Sequence, residues 1–214
     1  MPDVPLFLLT SNTSFSAAEW FAFILKNLGR ATVIGEQTAG GAHPVNRRVL
    51  NHRFVLQVPT GEVKDGALGT DFEGTGVSPH IEVISEHALH TAHQQALKAL
   101  MEQNPGNDEA YEWFLPQIQA RIEAPQIPTA LLDGLEGYYG SRQIILKHGK
   151  LYYSWDGKHR LRLRPISETV LALDGVDDFR FQIRSEHQEI TGLDRVYSDG
   201  SRRFHAKTPT LEDH

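Results

Sequence analysis

The sequence predicts an α/β fold followed by a helical linker and a small all-β meander or barrel, and three observations carry that expectation. Residues 5–36 hold two short apolar runs on either side of an amphipathic stretch, the pattern of a strand–helix–strand unit. Residues 86–126 are dominated by helix formers with three- and four-residue apolar spacing. From residue 129 onward the chain breaks into short alternating stretches about ten residues apart, with turn residues between them.

The elements follow in order. "PLFLLTS" (5–11) is a continuous apolar run, as in a buried parallel strand. "SAAEWFAFILKNLG" (16–29) is a helix in which Ala17, Trp20, Phe21, Ile24, Leu25 and Leu28 form a wide apolar face, so it is expected to be largely buried. Gly29 supplies its stop. "RATVIGE" (30–36) is the next strand, and the crossover between the two strands is right-handed. "QTAGGAHP" (37–44) is a Gly-rich loop, residues 47–59 form a hairpin, residues 60–80 are loop, and "HIEVI" (80–84) is a strand. Helices are predicted over 86–103 and 107–124, the second interrupted at Pro116. The resulting division is an α/β domain over 1–85, a helical linker over 86–126, a β-domain over 127–208 and a tail over 209–214.

Composition narrows the function. Of the 21 Lys/Arg and 27 Asp/Glu, residues 1–127 hold 8 and 14, leaving 13 of each for residues 128–214. The first half is therefore acidic by 6 and the second neutral. A nucleic-acid partner is not expected from such a balance. The absence of cysteine excludes thiolate chemistry and disulfides in these residues. No apolar run reaches membrane-spanning length, so no membrane span is expected.

The hydroxyl-rich run Thr10, Ser11, Thr13, Ser14 and Ser16 precedes the first helix. Ser16 with Glu19 is a capping box, a purely structural role. The same place suits a nucleophile. A serine at a strand-to-helix junction stands at the carboxyl end of a parallel sheet, and the helix start offers unpaired N–H groups and a positive dipole end. The Ala17 N–H is then the natural oxyanion donor. A serine needs a base, and none is adjacent in sequence, so local sequence leaves both readings open.

Three segments together extend the pattern: Ser16-Ala17-Ala18-Glu19, Gly29 to Thr38, and Gly76-Val77-Ser78-Pro79-His80. In this order and spacing they resemble the C-terminal half of the catalytic domain of the tail-specific, or C-terminal-processing, serine peptidases, over about residues 4 to 84. The resemblance implies a ClpP/crotonase-like core, peptide or protein substrates, no cofactor, and Ser16 as nucleophile. One branch of that family places a lysine 25 residues after the serine; Gly41 stands there, in Ala39-Gly40-Gly41-Ala42. That rules out a Ser–Lys dyad at this position. The loop instead resembles the retinoid-binding-protein-like and tricorn-core-like branch, in which a histidine serves the serine and a late glutamate assists. Glu73, 57 residues after Ser16, occupies the place of that glutamate.

The resemblance puts the histidine upstream of the serine, outside these residues, so a longer protein and a weak or silent fragment are expected. His43 is the local substitute, although a loop histidine more often faces substrate or solvent, and Gly40, Gly41 and His43 are assigned to a substrate-binding loop. His87, His90 and His93 recur every third residue, but no carboxylate stands at ligand spacing, so no metal site is expected. Arg160, Arg162 and Arg164 give one basic strand face, more simply solvated than anion-binding. Tyr138, Tyr139, Tyr152, Tyr153 and Trp155 are expected to fill the barrel. An apolar edge at residues 5–11 predicts self-association or pairing with an N-terminal half of the same protease. The rival readings are a non-catalytic ligand-binding protein on the same scaffold and an interaction module centred on the β-domain. Relatives of this family are mostly exported, which implies a periplasmic or secreted protein.

Overall fold

The computed structural model describes residues 4–208 apart from 63, 65–68, 107 and 188. The chain forms two compact units, residues 1–103 and 104–214.

The first unit begins with β1 (Phe7–Thr10), α1 (Ala17–Asn27) and β2 (Thr32–Gly35). β1 and β2 pair in parallel, Phe7 opposite Thr32 and Thr10 opposite Gly35, which is the expected strand–helix–strand unit. A hairpin follows, β3 (Val45–Val49) with β4 (Val55–Pro59), and then β5 (Ile81–Glu82) adds to the far side of β2. The sheet order β1-β2-β5 leaves β1 at an edge. α2 (Ser85–Gln103) packs on β1 and β2, burying Ala88, Thr91, Ala92 and Leu97. The sequence placed that helix in a linker; its small apolar face makes it part of the first unit. A compact cluster of Ala22, Ala42, Phe72 and Val77, with Leu8 and Phe23 against it, joins α1 to the two long loops.

α1 departs from expectation. Of its residues only Glu19 and Ala22 are buried, whereas Trp20 and Phe21 are 47% and 55% exposed. Its apolar coverage exceeds what a three-stranded sheet can cover from one side. The β3–β4 hairpin is exposed over nearly its whole length, Val49 and Phe54 included.

The second unit starts with α3 (Asp108–Glu123), which runs through Pro116 without a break. Proline removes one helical hydrogen bond, and tertiary contacts outweigh that loss. Trp113 Nε1 donates to the Asp177 carbonyl at 2.6 Å, and the Arg180 guanidinium lies 3.7 Å from the Trp113 ring centroid and donates to the Trp113 carbonyl. α4 (Thr129–Leu135), which the sequence reading passed over, is a short helix that seats Leu135 in the core.

Eight antiparallel strands follow in simple up-and-down order: β6 (Gly137–Tyr139), β7 (Arg142–Lys147), β8 (Lys150–Ser154), β9 (Leu161–Pro165), β10 (Val170–Leu173), β11 (Val176–Glu186), β12 (Glu189–Tyr197) and β13 (Arg202–Ala206). Past β13, the Thr208 N–H donates to the Tyr138 carbonyl at 2.8 Å, so the sheet curls into a nearly closed barrel. Its core includes Ile144, Leu163, Leu171, Phe181 and Leu193. Tyr139 and Tyr153 fill it, whereas Tyr138, adjacent to Tyr139 on β6, faces the other side, and Trp155, just past the end of β8, is exposed. Tyr139 donates its hydroxyl to the Leu135 carbonyl at 2.8 Å, and burial pushes its pKa well above the ordinary phenol value.

Candidate active site

The turn between β1 and α1 is knitted by its own hydroxyls. The Ser11 N–H donates to Ser14 Oγ at 3.1 Å, and the Ser14 N–H returns to the Ser11 carbonyl at 3.0 Å. Thr10 Oγ1 donates to the Glu36 carbonyl at 2.8 Å, fixing the turn to the end of β2. Ser16 then opens α1 with φ 58° and ψ −121° and is exposed. A non-glycine residue in that region costs about 1–3 kcal/mol and persists only where its surroundings over-determine it. Ala17 is the first helical residue, with an N–H that has no partner within the helix.

Glu19 is what over-determines Ser16. Its carboxylate is fully buried and accepts four hydrogen bonds: from the Ser16 N–H at 2.8 Å, the Gly41 N–H at 2.8 Å, the Gly40 N–H at 2.6 Å and the Thr38 hydroxyl at 2.5 Å. Burial pushes its pKa up, but the Thr38 hydroxyl and the Gly41, Gly40 and Ser16 N–H groups outweigh it, and the net displacement is below the ordinary carboxylate value. Thr38 Oγ1 also accepts from the Val77 N–H at 2.7 Å. One chain of bonds, Val77–Thr38–Glu19–Ser16, thus ties together the three segments singled out in the sequence.

Glycines make this approach feasible. Gly76 has φ 72°, and a Cβ there would stand 2.0 Å from the Thr38 carbonyl oxygen. A Cβ on Gly41 would stand 2.2 Å from Phe15 Cε2, so a longer side chain at that position requires the Phe15 ring to move.

Glu73 lies on the other side of the same loop. Its Oε2 accepts from the Ala42 and His43 N–H groups at 2.6 and 3.0 Å. The His43 ring sits between two carboxylates, Nδ1 3.8 Å from Glu73 Oε1 and Nε2 3.6 Å from Asp71 Oδ2. His43 Nε2 is buried without a hydrogen-bond partner. The structure therefore brings Gly40, Gly41, His43 and Glu73 into one loop cluster and fastens that cluster to Ser16 through Glu19. Among the described residues no hydrogen bond or ion pair joins Ser16 directly to His43 or Glu73. Three contributors escaped the sequence reading: Glu19 as loop anchor, Thr38 and Asp71. Glu19 and Thr38 were visible inside the quoted motifs, but which loop they hold depends on the tertiary fold; Asp71 had no signal. Among the described residues no cluster of His, Asp and Glu could hold a metal ion, and no helix is long and apolar enough to cross a membrane.

A family model described as peptidase family S41 matches residues 1–83. Over 81 residues, 37% of its length, the chain is 36% identical to an uncharacterized protein of Chlamydia muridarum (strain MoPn / Nigg). It is equally 36% identical over 81 residues to a protein of Chlamydia pneumoniae. The match spans only 14% and 13% of the length of those two curated relatives. Among solved structures, the chain is similar to the photosystem II D1 C-terminal processing protease at 29% identity and a TM-score of 0.34, over 38% of this chain and 21% of that one. It is similar to mature CPAF at 23% identity and a TM-score of 0.37, over 48% of this chain and 21% of that one.

Proposed function

We propose that this chain carries the nucleophile-bearing part of a serine-type peptidase, with Ser16 as the attacking group. The observation that carries the reading is the strained backbone of Ser16, held at a helix N-terminus by the buried carboxylate of Glu19. A simple cap has no need of φ 58°. In this reading Ser16 Oγ attacks the carbonyl carbon of a peptide bond while its proton passes to a base. The carbonyl oxygen becomes an oxyanion facing the Ala17 N–H and the positive end of α1. The amine leaves with a proton, and water releases the acyl group from Ser16. Gly40, Gly41 and His43 line the approach of the substrate backbone, and Glu73 fixes that loop through the Ala42 and His43 N–H groups. Because the His43 ring is set between Glu73 and Asp71, the base for Ser16 is proposed to come from residues outside those described, and the chain alone is weakly active or silent.

The test is labelling with a fluorophosphonate serine probe, on this chain, on Ser16→Ala, and on each mixed with an upstream half taken from a full-length S41 relative. Labelling that appears or strengthens with the added half and vanishes in Ser16→Ala is the expected result. Labelling that survives Ser16→Ala, or none in any mixture that forms a complex, sinks the nucleophile assignment. A second reading, a non-catalytic ligand-binding or interaction protein on the same scaffold, is favoured by the exposed Phe15, Trp20 and Phe21 beside Ser16. It predicts no labelling together with saturable quenching of Trp20 fluorescence by an apolar ligand.

A further inference from the structure

The second unit contains a cavity of about 260 Å³ beneath the end of α3 and the α3–α4 connection, walled by β8 and β9. Arg121, Lys150, Arg162 and Arg164 line it, and no aspartate or glutamate does. The lining also includes the apolar side chains Ile127, Leu132, Leu151 and Leu163. The basic strand face expected to be solvated is therefore only partly so: Arg162 and Arg164 are half-buried.

The charges are not balanced internally. Asp174, the nearby carboxylate, gives a single oxygen to two of these arginines: Oδ1 accepts from Arg164 Nε at 2.6 Å and from Arg121 Nη2 at 2.9 Å. The pull of Arg164 and Arg121 overcomes burial and holds Asp174 below its ordinary pKa. Arg162 is left over. Its Nε is buried and has no hydrogen-bond partner, a state that costs about 1–3 kcal/mol for a neutral group and more for a charged one. The carbonyl end of α3 at Ala124 adds only partial negative charge to this corner. The half-buried Arg162 guanidinium, with its Nε unsatisfied, stands beside two arginines that share one carboxylate oxygen, and a guanidinium can grip a planar oxyanion through two parallel N–H groups.

We propose that this cavity binds a small organic carboxylate, its head on Arg162 and a branched aliphatic body against Ile127 and Leu132. The volume suits a body of four to six carbons rather than a long acyl chain, since cavities for drug-sized ligands start near about 300 Å³. The site is independent of Ser16 and stands or falls apart from the peptidase reading.

The experiment titrates the full chain with 4-methylpentanoate, with its uncharged amide, and with inorganic phosphate, following the backbone resonances of Leu132, Gly149 and Leu163 by NMR. The acid is expected to shift all three saturably, with the amide and phosphate each weaker by at least about tenfold. Arg162→Gln is expected to lose at least about tenfold in affinity for the acid, and Arg162→Lys, which keeps the charge without the fork, to fall between. No shift with the acid, equal binding of the amide, equal binding of phosphate, or undiminished binding in Arg162→Gln overturns the proposal. If Arg162→Gln fails to fold, the comparison of acid, amide and phosphate on the unaltered chain decides alone.

Discussion

Glu19 shows how much one residue can hold. With four donors converging on a fully buried carboxylate, Glu19→Gln sets an amide nitrogen against at least one of them and leaves that donor unsatisfied. The expected loss is about 2–4 kcal/mol, read from the urea midpoint of the first unit's transition. The pH dependence follows from the direction of its shift. A carboxyl whose folded pKa lies below its unfolded value of 4.5 contributes stability that is fully present above pH 4.5. That contribution fades as the pH falls through the folded value. Urea midpoints measured downward from pH 5 should therefore drop more steeply in the unaltered chain than in Glu19→Gln. The sequence showed Glu19 as a local capping partner three residues after Ser16, because helix-start chemistry is local. It could not show that the same carboxylate reaches Gly40 and Gly41, since that contact depends on how the loop returns. The assignment of Gly41 as a departure from the lysine-bearing pattern gains a steric side: Phe15 fills the space.

At the level of elements, parallel pairing of β1 with β2 and the helices over 85–103 and 108–123 were legible because their apolar periods are long and regular. The reading of Pro116 and the burial expected of α1 differ from the structure for one reason, contacts made, or not made, elsewhere in the chain. The sequence predicts an interruption at Pro116, yet Trp113 and Arg180 hold the helix through it. α4 was missed because seven residues carry too little pattern to distinguish a helix from a connection. Burial of α1 was overestimated because amphipathicity reports what a helix can bury, not what is present to cover it. The joint between the loops is where these elements are most sensitive. Gly76→Ala, which sets a Cβ against the Thr38 carbonyl at a positive φ, is expected to cost at least about 2 kcal/mol. It should also weaken probe labelling of Ser16, because Val77 and Thr38 anchor Glu19. A midpoint unchanged from the parent chain would contradict the joint. Gly74→Ala, where a Cβ meets nothing within 4 Å despite φ 68°, is the control and should cost less.

Across the whole molecule the two units differ in how completely each covers itself. The barrel encloses a continuous core from Ile127 to Leu193, whereas the first unit shows Phe15, Trp20, Phe21, Leu28, Val49 and Phe54 to solvent along with the free edge of β1. Large apolar side chains exposed in this number favour a partner or second copy that covers them. The full chain should therefore enhance the fluorescence of an apolar dye and self-associate in sedimentation velocity, while residues 104–214 produced alone should be monomeric, dye-silent and cooperatively folded. A full chain that is monodisperse and dye-silent would contradict the expectation of a partner or second copy.

The seam of the barrel has a consequence for how the chain is made. Every strand of the barrel after β6 pairs with the strand synthesised just before it, so each hairpin can zip as it leaves the ribosome. Closure is the exception. It waits for Thr208 to reach Tyr138 and for the Lys207 ammonium to reach the Gly134 carbonyl, both from residues just past β13. Until residues 207 and 208 emerge, β6 is an unsealed edge with Tyr138 exposed on it. Residues 207 and 208, which emerge after all eight strands, are thus the latch of the whole barrel, and a contact formed after the rest restrains opening far more than it speeds assembly.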